Sequence, residues 1–67
     1  MQPHQQRVVD EKAELDEKSA KLNTFFNTAR FDKLSSEEQD RMHRQYECMV
    51  RYSAVLGERI VAFLTRT

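Results

Sequence analysis

Glycine and proline occur once each in this chain, as Gly57 and Pro3; tryptophan is absent, and the single cysteine is Cys48. So few turn-formers argue against a fold of many short strands, because hairpin bends draw on glycine, asparagine and proline. One cysteine excludes an intramolecular disulfide, and without a C-x-x-C pair or a Cys/His ligand set no metal site is expected. A net charge of zero, from 11 basic and 11 acidic side chains, withholds the long-range field of a general nucleic-acid binder. No apolar run reaches the length of a membrane span, and the opening MQPHQQR lacks the apolar core of a secretory signal. A lone thiol suits a reducing compartment, so the expected location is the cytoplasm, with no membrane association.

What remains is rich in glutamate, lysine, arginine, glutamine, leucine and methionine, residues that favour helix throughout. Pro3 is tolerated in a first helical turn, where its missing N–H has no intrahelical acceptor, and helix 1 is placed at about residues 4–27. The break falls in NTARFDKLSSEEQ, where Asn27, Thr28 and Asp32 compete with helix through local side-chain bonds. Ser35 and Glu38 form a capping box, so helix 2 is expected from about residue 36 to 64, after a connection at about 28–35. The fold class that follows is all-α: a single-domain antiparallel helical hairpin, each arm about 35 Å long. Phe31 and Leu34 read as an apolar plug at its closed end, with an exposed aromatic hook as the alternative.

The two helices do not match. In helix 2, Met42, Met49, Leu56 and Phe63 recur every seven residues, and Tyr46, Ser53 and Ile60 fall four after the first three. Val50, Gly57, Val61 and Leu64 widen this seam on one flank and Tyr52 on the other. Helix 1 offers only Val8, Leu15, Leu22 and Phe26, beside Glu11, Lys12 and Lys18. Each large apolar side chain left wet forgoes about 1.5–3 kcal/mol, a serious loss against a typical total of about 5–15. The expected resolution is a homo-oligomeric four-helix bundle, a dimer first of all, joined through Met42, Tyr46, Met49, Val50, Leu56, Gly57, Ile60 and Phe63. Gly57 in mid-helix reads either as a close backbone crossing or as a tolerated weak spot.

Chemistry finds little to work with. His43 with Glu47, and Asp40 with Arg44, are spaced as solvated helix pairs and bring neither a nucleophile nor an orienting third group. Cys48 reads as a small half-buried side chain, although Arg44 or Arg51 beside it would favour its thiolate. No glycine-rich phosphate loop exists. No enzyme and no cofactor are expected. Arg44, Arg51, Tyr52 and Arg59 are the binding candidates, because guanidinium forks suit phosphate or carboxylate and a tyrosine ring can stack on a base. The plainer reading of the same arginines is a solvated face paired with the acidic first helix.

The segments QQRVVDEKAELDEKSAKLNTFF and FDKLSSEEQDRM, then Gln45, Met49, Tyr52 and LGERIVAF, resemble a family of small helical proteins of tailed phages and prophages, related to a crAss-like phage protein. The resemblance covers nearly the whole chain and implies a phage origin, a helical hairpin and action inside the infected bacterial host. It carries no functional residues over. Small phage accessory proteins act by binding something of the host, so the leading expectation is a self-associating, non-enzymatic protein that binds a host protein and inhibits defence or metabolism. The alternative is an oligomeric sponge that captures an anionic, cyclic-nucleotide signal between protomers.

Overall fold

The computed structural model describes residues 1–65, which form α1 (Pro3–Phe25), α2 (Ala29–Asp32) and α3 (Ser36–Thr65). The long helices α1 and α3 lie antiparallel. Lys12, near the middle of α1, reaches Ser53 in the second half of α3 at 3.1 Å, whereas Phe26, just past the end of α1, stacks on His43 in the first third of α3 at 4.3 Å between ring centres. The resulting hairpin measures 51 × 15 × 14 Å.

Local chemistry sets the helix ends. Pro3 opens α1, and the Gln2 amide donates to the Gln5 side chain at 3.0 Å. At the start of α3 the Glu38 amide donates to the Ser35 hydroxyl at 3.2 Å. Only that half of the capping box is made. The Glu38 carboxylate turns instead to Arg41, which donates to it at 2.8 Å.

α1 closes at Phe25, as the amides of Phe26, Asn27 and Thr28 tighten onto the carbonyls of Leu22, Thr24 and Phe25. Thr28 then links two helices: its hydroxyl donates to the Phe25 carbonyl at 2.7 Å and accepts from the Phe31 amide at 3.3 Å, capping the short α2. The Gln39 side-chain amide fastens the connection from the other side, donating to the carbonyls of Phe31 at 3.0 Å and Leu34 at 3.2 Å.

The buried core consists of Val8, Phe31 and Leu56. Phe31 therefore fills the closed end of the hairpin, where it meets Phe26 edge-on at 5.1 Å and Phe25 at 6.0 Å. Tyr46 adds an edge-on contact with Phe26 at 5.6 Å. Such aromatic pairs add about 0.5–1.5 kcal/mol each beyond the area they bury. Leu34 is half-buried beside them.

Candidate functional site

The first group that stands out spans the seam. Lys12 donates to Asp16 at 2.7 Å and to the Ser53 hydroxyl at 3.1 Å, and Ser53 in turn donates to the second oxygen of Asp16. The polar break in the α3 seam is thus met by a neutral lysine–aspartate pair, which satisfies groups that would otherwise be costly to cover. The Lys12 ammonium, and after it the Ser53 hydroxyl, hold the Asp16 carboxyl below the ordinary aspartate value, while partial burial works the other way. Ser19, the other polar residue in the α1 strip, is satisfied locally by donating to the Asp16 carbonyl at 3.0 Å.

The expected self-association residues separate into two sets. Leu56 is only 1% exposed, so it is spent inside the protomer and has no surface left for a second copy. Met42, Tyr46, Met49, Gly57, Ile60 and Phe63 are half-buried. Most of the heptad seam therefore serves the hairpin itself, because the arc centred on Leu56 faces α1. Val50 stays exposed at 47%, and with it Val61 at 58% and Leu64 at 68%. Around Gly57, an added Cβ would meet the Lys12 Cε at 3.3 Å. Its close neighbour within the protomer is a lysine stem rather than a crossing backbone.

The arginines do not pair with α1. Every ion pair among the described residues lies within one helix: Lys12 with Asp16, Lys21 with Glu17, Arg41 with Glu38, and Arg44 with Asp40 at 3.0 Å. Among the described residues Arg51 and Arg59 make none. Arg44, Cys48, Arg51, Val55 and Arg59 follow one another at helical spacing down one flank of α3, all exposed, with Tyr52 alongside. Tyr52 and Arg59 are seven residues apart and so project along the same line. This strip of guanidinium, aromatic and apolar groups can bind an anion and stack on a flat ring.

His43 is committed elsewhere, stacked on Phe26 and edge-on to Phe31 at 5.4 Å. Among the described residues no group of three or more His, Cys, Asp and Glu side chains converges as a metal site. No cavity is found there either, and no helix is long and apolar enough to cross a membrane. Sequence reasoning missed two features, the Lys12–Asp16–Ser53 bridge and the His43–Phe26 stack. A signal for the first was present, since Ser53 interrupts an apolar seam and Lys12 and Asp16, four apart, border the strip that faces it.

No curated protein and no solved structure matches the chain. A model of the Sequestin family matches residues 2–62, nearly the whole of the hairpin from the cap of α1 to the last turns of α3. With a match of that extent, the chain belongs to the Sequestin family.

Proposed function

We propose that this protein works by sequestration: a self-associating, non-enzymatic hairpin that withdraws an anionic small molecule, of the cyclic-nucleotide type, onto the basic strip of α3. The observation that carries this reading is the placement on one line of α3 of Arg59, which makes no ion pair among the described residues, and Tyr52, 46% exposed and one heptad before it. An arginine suits a phosphate and the tyrosine ring suits a base. The family's name, which speaks of sequestration, supports the same reading. A single convex helix surface cannot enclose a small ligand, so the strip has to be closed by a second copy. The setting that goes with it is a phage or prophage protein, with the kinship to a crAss-like phage protein, acting in the cytoplasm of an infected host against a defence signal.

Calorimetric titration with a panel of cyclic mono- and dinucleotides tests the proposal. One member of the panel is expected to bind, and Arg59→Ala and Tyr52→Ala are each expected to weaken it about tenfold or more, the loss of one charge-assisted or stacking contact. Silence across the panel, with a host protein retained from lysate through Tyr52 and Val55, would replace the small ligand by a macromolecule.

A further inference from the structure

A second heptad line runs along α3 beside the one that faces α1. Val50, Ala54, Gly57, Val61 and Leu64 follow at spacings of four, three, four and three, the rhythm of a helix-packing seam. All of them but Gly57 are exposed. On α1 the matching line is Val9, Ala13, Asp16 and Ala20, and because Asp16 bonds to Ser53 the two lines lie on the same side of the hairpin. Apart from the Lys12–Asp16 pair, which is bonded to Ser53, that side carries small and apolar groups. The opposite side carries Glu11, Glu14 and Lys18 of α1 and, of the basic strip of α3, Cys48, Tyr52, Val55 and Arg59, with Arg51 at the strip's edge next to the seam.

We infer that this face is the contact with a second copy of the chain, with α3 antiparallel to α3 of the partner and Val50 against Val61 across the two-fold axis. Two observations choose that occupant. The first is area. The chain exposes 5339 Å², whereas a compact monomer of 8.0 kDa is expected to expose about 4,450 Å². The excess, roughly 900 Å², matches the share of about 800 Å² that each partner gives to a standard interface.

The second observation is charge. Arg51 and Glu58 lie seven apart along the outer margin of this seam. When Val50 faces Val61 of the second copy, Ala54 faces Gly57, and each Arg51 comes beside the other copy's Glu58, twice by symmetry. A slip of one heptad in either direction brings Arg51 against Arg51 or Glu58 against Glu58. A parallel pairing sets Arg51 and Glu58 against Tyr46, Ser53 or Ile60, which carry no charge. One antiparallel register is thus selected, and like-charge contacts reject its neighbours.

This contact rests on the self-association in the proposed function but not on its ligand. It assigns Arg51 to the interface and leaves Tyr52 and Arg59 on the outer side, where a second dimer can close over the strip.

Sedimentation velocity on the wild type is expected to give a dimer without nucleotide. Val61→Glu, at a position already exposed in the protomer, is expected to give a monomer with unchanged helical circular dichroism. Arg51→Glu and Glu58→Arg alone are each expected to raise the dissociation constant about tenfold or more, and the double exchange to restore it. Tyr52→Ala and Arg59→Ala should leave the dimer intact. A dimer indifferent to Val61→Glu, or a double exchange no better than the single ones, overturns the assignment of face and register. A wild type monomeric at all concentrations overturns both this contact and the closed site of the proposed function, whereas a dimer silent to every nucleotide overturns only the ligand.

Discussion

Asp16 shows how one side chain can serve both packing and charge. It sits at the edge of the seam, half-exposed, taking hydrogen bonds from Lys12 and Ser53, and these hold its carboxyl below the ordinary aspartate value. A carboxyl lowered in the folded state means that the unfolded chain binds the proton more readily. The associated stability is therefore fully present above the ordinary aspartate value and is lost as pH falls through the lowered one. Thermal melts of wild type and Asp16→Asn compared across pH 2–7 should differ most near neutrality and converge at the acid end. A difference that stays constant with pH would remove the ionised carboxylate from the account. The lost increment is expected to be small, since both partners remain in contact with water and salt screens the pair.

At the scale of elements, the closed end is where local chemistry decides the fold. Ser35 caps α3, Thr28 caps α2, and Gln39 holds the intervening carbonyls. Removal of a cap hydroxyl costs about 0.5–2 kcal/mol. Ser35→Ala is expected to fall in that range in urea unfolding, and Gln39→Ala to cost about 1–3 kcal/mol by leaving partly buried carbonyls short of a donor. A Gln39→Ala protein as stable as wild type would show that water replaces the amide.

The hairpin itself was legible in the sequence, because Met42, Met49, Leu56 and Phe63 recur every seven residues and a seam of that kind needs an adjacent helix. The short α2 was not, since four residues are too few for periodicity to speak and Thr28 acts through a bond to the end of the preceding helix. The bridge from Asp16 to Ser53 was hidden for a different reason: residues 37 apart in sequence meet only once the register of the two long helices is fixed. Likewise, the heptad pattern identified the apolar arc of α3, but it could not divide that arc into the portion consumed by α1, with Leu56 at its centre, and the portion left at Val50, Val61 and Leu64.

At the scale of the molecule, the hairpin has a small inner core for its length: Val8 and Leu56 along the arms and Phe31 at the closed end. A chain of this size buries a modest fraction of its surface, and domains without disulfides or metals at this length lean on partners. If copies of the hairpin stabilise one another, folding and association are linked, and the melting temperature has to depend on concentration. Raising the protein from near the dimer dissociation constant to a hundredfold above it should add roughly 2–3 kcal/mol to the folded state. For a domain of this length that corresponds to on the order of 10–20 °C in Tm. Differential scanning calorimetry over that range of concentration gives the answer directly, with Val61→Glu as the control expected to show a flat, lower midpoint. A wild-type midpoint that does not move with concentration would mean that the hairpin is stable alone, with the exposed line of α3 left for a partner other than itself.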